Sequence, residues 1–263
     1  MRPRRTPWPL GVPAAFGALL LVVPLVGLLV RAPWSGLVRI VSTPEVLDAL
    51  WLSLLCATSA MGISIVLGVP LGWVLARSRA PGVGVLRALV TLPLVLPPVV
   101  GGVALVLVLG RRGLVGTWLD ATFGLTLFGT TAAVVIAETF VAMPFLVVAV
   151  EGAFRSADQG YDEAAATLGA SRLHVFRRVT LPLIRPALLA GSVLCWARAL
   201  GEFGATVTFA GNLQGATRTM PLAVYLAMET DPDAAIALSL VLLVVSVTVL
   251  LALRGRLLGG ASA

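Results

Sequence analysis

The chain has 263 residues, of which 59% are hydrophobic and only 12% are charged; a soluble domain carries about 25% charged residues, so this composition predicts a polytopic membrane protein. The net charge of +7 does not indicate a nucleic-acid partner, because the basic residues lie between apolar segments and do not cluster on one polar face. All 19 basic residues are Arg, and a phosphate-binding loop needs a Lys, so the chain is not itself a P-loop ATPase.

Six apolar segments follow one another along the chain, each long enough for a helix that crosses a bilayer. A bilayer core requires about 20 apolar residues in a helix, because lipid offers no hydrogen-bond partner to an open backbone. The predicted spans are residues 12–30, 49–76, 86–110, 127–150, 183–210 and 234–253. The first ends at Val30 without a small-residue cleavage site, so we expect an uncleaved anchor helix.

Arginine residues are distributed unequally between the two sides that six spans define. Thirteen lie on the side that holds both termini, five lie on the opposite side, and Arg198 lies within the fifth span. Because basic residues concentrate in cytoplasmic loops, this bias predicts that both termini are cytoplasmic. The thirteen are Arg2, Arg4, Arg5, Arg77, Arg79, Arg87, Arg155, Arg172, Arg177, Arg178, Arg185, Arg254 and Arg256, and the five are Arg31, Arg39, Arg111, Arg112 and Arg218.

The third and fourth predicted spans contain residues that are unusual in a membrane helix. Pro97, Pro98 and Gly101 break or bend the third span. Irregular backbone at membrane depth is tolerated only where protein or a water-filled cavity surrounds it, so this segment is either a pore-lining gate or a kink that serves packing. Glu138 interrupts the fourth span; it either faces Arg198 or lies uncharged among apolar neighbours.

The loop between the fourth and fifth spans is the longest charge-rich segment of the chain. Ser156 followed by Gln159 predicts a capping box at the start of a helix. Gly169 is expected to end that helix, and Ser171 to cap a second short helix. Pro182 is expected to stop the second helix and begin the fifth span. Together these signals predict two short helices joined by a tight turn at the cytoplasmic surface.

Two ionisable residues lie within the predicted fifth span. Arg198 and Glu202 are four residues apart, so one helical turn brings their opposite charges together. Charged groups at this depth are costly and are usually paired or functional. We therefore expect the two side chains to neutralise each other.

The cytoplasmic loop has a spacing that resembles the docking loop of ABC importers. It reads Glu163-Ala164-Ala165, Gly169 four residues later, and then Val179-Thr180-Leu181-Pro182, with Val179 where an Ile is usual. Residues 91–102 (TLPLVLPPVVGG) and 197–206 (ARALGEFGAT) extend the likeness. From about residue 45 to its end, the chain resembles ABC-importer permeases of the molybdate (ModB-like) class, with sulfate permeases as relatives.

The resemblance implies the type I permease fold of ABC importers, with six transmembrane helices and a cytoplasmic coupling-helix loop. It divides the chain into an anchor helix with the first outer loop (1–48), a permease core (49–253) whose coupling loop is at about 155–182, and a short cytoplasmic tail (254–263). The ATPase-docking residues would be Glu163, Ala164, Ala165, Gly169, Leu181 and Pro182.

The resemblance also implies a function and a set of partners. The chain would be a non-catalytic permease subunit in a bacterial inner or plasma membrane, importing molybdate; tungstate and sulfate or thiosulfate remain alternative cargoes. It would form a homodimer in the lipid bilayer with two ATPase subunits, served by an extracytoplasmic oxyanion-binding protein. ATP and Mg²⁺ would be bound by the ATPase, and no cofactor or nucleic acid by this chain.

A path for a tetrahedral dianion would lie between the two permease copies. The pair of Arg198 and Glu202 suits such a path, since a lone Arg would trap the ion and a lone Glu would repel it; the alternative is an internal brace that never contacts the ion. Thr206 and Asn212 offer neutral hydrogen bonds to an oxyanion, although a hydroxyl can also bond its own helix. Pro97, Pro98, Gly101 and Glu138 complete the candidates for the path or its gate.

Two other classes of protein fit the residues less well. An intramembrane enzyme would need a nucleophile with a base, or a metal site, within the spans. The single histidine, His174, lies in the cytoplasmic loop, and Cys56 and Cys195 lack metal-ligand spacing. A stand-alone channel or secondary carrier would need no docking loop for an ATPase.

Overall fold

The fold is entirely helical over the part of the chain that the structure describes. The structure is a computed structural model that describes residues 8–158, 160, 165, 167 and 169–258. In chain order its helices are α1 (Trp8–Val30), α2 (Leu37–Val41), α3 (Pro44–Arg77), α4 (Val83–Val95), α5 (Pro98–Leu109), α6 (Gly116–Phe123), α7 (Thr131–Ser156), α8 (Arg172–Val175), a π-helical turn (Phe176–Thr180), α9 (Leu181–Leu200), α10 (Gly204–Phe209), α11 (Met220–Thr230) and α12 (Pro232–Leu258).

Five helical segments among the described residues are long and apolar enough to cross a membrane. They are α1, α3, α7, α12 and the continuous helical run from Arg172 to Leu200. Helices α4 and α5 pass the same test as a pair, which makes six spans if the bent pair counts as one. The predicted polytopic all-α architecture is confirmed, whereas the short helices α2, α6, α10 and α11 are not predicted from the sequence.

The third predicted span, residues 86–110, is two helices that bend by 119° at their junction. Leu96 and Pro97 at the junction have extended backbone, with ψ angles of 134° and 131°. Each of them precedes a proline, and the proline ring disfavours helical backbone in the residue before it. The predicted break is therefore confirmed, and two consecutive prolines turn it into a sharp reversal instead of a kink.

The fifth predicted span, residues 183–210, is wrong at both ends. The helical run begins earlier, at Arg172, and α9 ends at Leu200. Gly201 leaves helical geometry, and after Phe203 the chain starts the separate short helix α10. The boundary was missed because the residues after Leu200 remain apolar apart from Glu202, so hydropathy alone carries no stop signal there.

The core of the bundle lies between α3, α7 and α9. Its buried members are mostly small or aliphatic, including Ala57, Ala142, Leu146 and Ala199. A Cβ atom on Gly72 of α3 would come within 2.5 Å of the Val150 side chain of α7. Without a side chain at that position the two helices can approach closely, as membrane helices do when small residues line their interface.

A second apolar cluster joins α10 to the bundle. Ala205 and Phe209 of α10 pack with Ala137 and Val141 of α7. Helix α10 also contacts α5 along much of its length. The short helix thus lies between the bent α4–α5 pair and α7, and it brings the candidate residues of the predicted third, fourth and fifth spans to one place.

Candidate functional site

The junction of α5 and α10 holds several of the candidate pathway residues. Pro98, the first residue of α5, lies against Gly204, where an added Cβ would be 3.0 Å from the proline Cβ. One turn along α5, a Cβ on Gly102 would be 3.0 Å from both the Cα and the carbonyl oxygen of Ala205. Helix α5 therefore reaches the backbone of α10 only because Gly102 has no side chain.

The bend between α4 and α5 has a packed side and an open side. Gly101 is buried, and a Cβ there would be 3.0 Å from the ring of Phe140 in α7. Pro97 is exposed at the turn itself. The open side at Pro97 is the part of the bend that a second protein chain or a water-filled path can contact, and the packed side holds the bend against α7.

Glu202 lies at the centre of this junction, between the end of α9 and the start of α10. Its side chain is only 1% exposed. One carboxylate oxygen, Oε1, accepts a hydrogen bond from the backbone N–H of Ala205 at 2.8 Å. The other, Oε2, lies 2.6 Å from Nη2 of Arg198. The expected pairing is present, and Glu202 also satisfies a backbone N–H in the first turn of α10.

Arg198 differs from its partner in exposure. It lies in the last turn of α9, and 26% of its side chain is exposed, so the guanidinium reaches a surface that Glu202 does not. The prediction that both residues lie within one span is wrong, since α9 ends between them at Leu200. The charge that this site presents to its surroundings therefore comes from the arginine.

Glu138 of α7 is buried near Glu202. It is 1% exposed, and its Oε2 accepts no hydrogen bond within the described part of the chain. Its carboxyl interacts electrostatically with that of Glu202, and the ion pair that the structure gives Arg198 is with Glu202. Among the described residues Glu138 makes no ion pair with Arg198, and its surroundings include the Glu202 carboxyl, so neither placement predicted for Glu138 is established.

Thr206 and Asn212 lie in different surroundings. Thr206 of α10 is fully buried, and its hydroxyl has no hydrogen-bond partner among the described residues. Asn212 follows α10 in a loop, where its Oδ1 accepts a hydrogen bond from Nε of Arg218 at 2.9 Å. Thr208, by contrast, donates to the carbonyl of Gly204 in its own helix. The Thr206 hydroxyl therefore presents no open hydrogen-bond donor on the surface of the single chain.

The structure describes only part of the loop between α7 and α8, which was predicted to be cytoplasmic. Glu163 and Ala164 lie outside the described residues. Gly169 has a φ angle of +82°, and the N–H of Ala170 bonds to the carbonyl of Ala165 at 3.2 Å. A left-handed glycine with this i to i−5 hydrogen bond is the usual end of a helix, as predicted for Gly169.

Two serines, one on either side of that turn, were predicted to cap helices. Ser171 accepts a hydrogen bond from the N–H of His174 and caps α8, which confirms the prediction for it. Ser156 is instead the last residue of α7 and donates to the carbonyl of Ala153, so its predicted role at the start of a helix is wrong. Gln159, the other residue of the predicted capping box, lies outside the described residues. Asp158 accepts a hydrogen bond from the N–H of Gly160.

The prediction that Pro182 stops a helix is wrong. The chain stays helical from α8 into α9 through the π-helical turn at Phe176–Thr180. The N–H of Leu181 bonds to the carbonyl of Phe176, five residues back, and Pro182 follows in the first turn of α9. A proline is tolerated there because the wider turn leaves its missing N–H without a required partner.

A second cluster of charges, which was not predicted, lies near the end of α7. Glu151 pairs with Arg87 of α4 at 2.7 Å and with Arg155 at 2.8 Å. The i, i+4 spacing of Glu151 and Arg155 at the end of an apolar segment is the available signal. The pairing with Arg87 joins residues 64 positions apart, which no local pattern reveals.

Several known proteins are similar to this chain in sequence. Residues 68–258 match the family "Binding-protein-dependent transport system inner membrane component". The molybdenum transport system permease protein ModB of Mycobacterium tuberculosis is 51% identical over 245 residues, which cover 93% of this chain and 92% of that protein. The sulfate transport system permease protein CysW of Escherichia coli is 37% identical over 225 residues, covering 84% of this chain and 77% of that protein.

A solved structure shows the same fold. The crystal structure of a bacterial ABC transporter involved in the import of the acidic polysaccharide alginate matches with a TM-score of 0.75 and covers 95% of this chain and 93% of that chain. Its identity of 19% supports the fold alone, and the predicted type I permease fold is confirmed. Since the family match spans most of a multi-pass membrane protein, the chain belongs to the family of inner membrane components of binding-protein-dependent transport systems.

Proposed function

We propose that the chain is the membrane-spanning permease subunit of an ATP-driven importer that carries molybdate into the cytoplasm. The observation that carries this proposal is the 51% identity, over 93% of the chain, to a molybdenum transport permease. The sulfate permease is more distant at 37% identity. Tungstate has the same charge and tetrahedral shape as molybdate and remains an alternative cargo, as do sulfate and thiosulfate.

The importer would contain two copies of this chain, two ATPase subunits and an extracytoplasmic oxyanion-binding protein. The family description, a transport system that depends on a binding protein, supports the last of these partners. ATP and Mg²⁺ would be bound on the ATPase, so this chain would be non-catalytic. The absence of any Lys from the sequence agrees with that division, because the chain has no residue for a P-loop.

The loop around Gly169 would lie in the cytoplasm and dock on the ATPase, with both termini on the same side of a bacterial inner or plasma membrane. The excess of Arg on that side supports this orientation. The left-handed turn at Gly169 supports a compact docking element, since it ends one helix and lets the next begin three residues later, at Arg172. Residues 163–165 would form the docking contact and Leu181 and Pro182 the base of the return helix.

The ion path would pass the open side of the α4–α5 bend. Arg198 is the group best suited to contact a dianion there, because 26% of its side chain is exposed whereas its partner Glu202 is buried. Glu202 would act as the brace, since both of its oxygens are already held by the protein. Pro97, Pro98 and Gly101 would form the gate segment, and Glu138 and Thr206 would support it from behind. Asn212, in the loop after α10, would offer a hydrogen bond to the ion.

Uptake by a bacterial strain that lacks its own molybdate permease tests the cargo. The chain is expressed with its ATPase and binding protein, and cell molybdenum is measured with tungstate or sulfate as competitor. We expect molybdenum uptake that tungstate suppresses and sulfate barely affects. An ATPase variant unable to hydrolyse ATP is the control for energy coupling. Restored sulfate uptake without restored molybdenum uptake would contradict the proposed cargo.

A further inference from the structure

Glu151 connects three helices at the end of the bundle where the cytoplasmic loop begins. It lies five residues before the end of α7, and its side chain is 8% exposed. One oxygen, Oε1, lies 2.7 Å from Nε of Arg87 in α4 and 2.8 Å from Nη2 of Arg155 in α7. A carboxylate that is nearly buried and doubly paired has little freedom to move without its partners.

Arg87 extends the connection to α3. Its Nη2 donates a hydrogen bond to the carbonyl of Leu75 at 2.8 Å, in the last turn of α3. One guanidinium thus bridges the Glu151 carboxylate and a free carbonyl at the end of a helix, where cations are favoured. The ends of α3 and α7 are therefore tied to the first half of α4 by side chains that are mostly shielded from solvent.

The same part of α7 also contacts the far arm of the loop. Phe154 is fully buried, and its ring lies 6.3 Å from that of Phe176, the first residue of the π-helical turn. Residues 151–155 therefore meet α4 through Glu151 and the returning chain through Phe154. Residues 151–155 are therefore one route by which a displacement of the loop can reach α4.

Helix α4 leads directly to the bend that carries the candidate gate. It ends at Val95, two extended residues follow, and α5 begins at Pro98 and packs on α10 through Gly102. We propose that Glu151 is a positioning residue that passes the movement of the cytoplasmic loop to the α4–α5 bend. This inference rests on the proposed function, since it assumes that an ATPase moves the loop.

Three glutamine variants test this role in proteoliposomes that hold the chain with its ATPase and binding protein. Glu151→Gln and Arg87→Gln each remove the pairing between helices, whereas Arg155→Gln removes a pairing within α7 and is the matched control. We expect molybdate taken up per ATP hydrolysed to fall about tenfold in the first two variants and less than about twofold in the control. The double variant Arg87→Gln with Glu151→Gln should be no worse than either single one, because both break the same link.

A merely structural role would lower assembly, ATP hydrolysis and uptake together, and this outcome would overturn the inference. Wild-type coupling in Glu151→Gln, or an equal loss in Arg155→Gln, would overturn it as well. A readout that does not depend on the cargo is the thiol-labelling rate of Val95→Cys, whose native residue is 84% exposed beside the bend. We expect a non-hydrolysable ATP analogue to change that rate in an otherwise wild-type chain but not with Glu151→Gln. If the wild type imports no molybdate yet this difference is seen, the cargo proposal fails and the role of Glu151 stands.

Discussion

Glu202 gives a buried carboxylate two structural tasks at once. It pairs with Arg198 in the last turn of α9, and it accepts a hydrogen bond from the backbone N–H of Ala205 in the first turn of α10. A buried charge is tolerated in a membrane protein only when such partners replace the water it loses. The sequence places Arg198 and Glu202 together correctly because the spacing of four residues needs only local helical geometry.

Substitutions of Arg198 and Glu202 should lower the stability of the protein by different amounts. Arg198→Ala leaves a buried carboxylate with one remaining donor, so we expect a loss of stability on the order of 3 kcal/mol. Glu202→Gln keeps an oxygen for Ala205, and we expect a loss of about 1 to 2 kcal/mol. Thermal unfolding of the purified chain measures these changes, and uptake is compared at matched membrane levels.

The double variant Arg198→Ala with Glu202→Gln tests whether the two residues stabilise the protein through their interaction with each other. With both charges removed, the loss should be smaller than the sum of the single losses, because neither charge is left unpaired. Arg39→Ala removes an exposed arginine elsewhere and serves as the control, with little expected effect. Wild-type stability and transport in all three variants would remove both the pathway and the brace interpretations of the pair.

At the scale of helices, hydropathy locates most spans but not their breaks. Residues 49–76, 127–150 and 234–253 fall largely within α3, α7 and α12, because a run of apolar residues needs no other information. The end of α9 at Leu200 is set by Glu202 binding forward to α10, a contact that composition does not reveal. The π-helical turn before Pro182 is likewise hidden from hydropathy, because it depends on how the backbone hydrogen bonds are rearranged around a proline that has no N–H.

A substitution at Gly169 tests whether the left-handed turn is needed for the proposed docking on the ATPase. A φ of +82° costs a residue with a side chain about 1 to 2 kcal/mol, although no atom lies within 4 Å of an added Cβ. Gly169→Ala should therefore weaken the docking turn without a steric clash. Gly152→Ala in α7 is the matched control, because its surroundings are equally open and its backbone is helical.

We expect Gly169→Ala to lower both the amount of ATPase that co-purifies and ATP-driven uptake, while Gly152→Ala behaves as wild type. Co-purification from detergent extracts gives the first quantity and molybdenum content the second. Wild-type behaviour of both variants would show that the turn at Gly169 is not needed for docking. An equal loss in both would instead indicate a general effect of replacing glycine in this region.

For the whole molecule, the sequence predicts which residues are unusual for a membrane helix more readily than which of them lie close together in the fold. Pro98, Gly101, Glu138 and Glu202 stand out as breaks or charges in apolar segments, and the fold brings them to the junction of α5, α7 and α10. Asn212 does not join them, since it is held by Arg218 in the following loop. The cluster at Glu151 was not predicted, because Arg87 and Leu75 reach it from other helices.

The orientation of the whole chain is the last prediction, and it follows from the unequal distribution of Arg. His174 and Gln214 are both exposed; His174 lies at the start of the helical run Arg172–Leu200, and Gln214 lies in the loop after α10. The six-span arrangement puts the two residues on opposite sides of the membrane. We expect a membrane-impermeant thiol reagent to label Gln214→Cys from the outer side of intact spheroplasts, and His174→Cys only after lysis. The wild type is the control, since its two cysteines are buried and should stay unlabelled in both conditions. Labelling of His174→Cys in intact spheroplasts would place the loop outside and remove the physical basis for docking on a cytoplasmic ATPase.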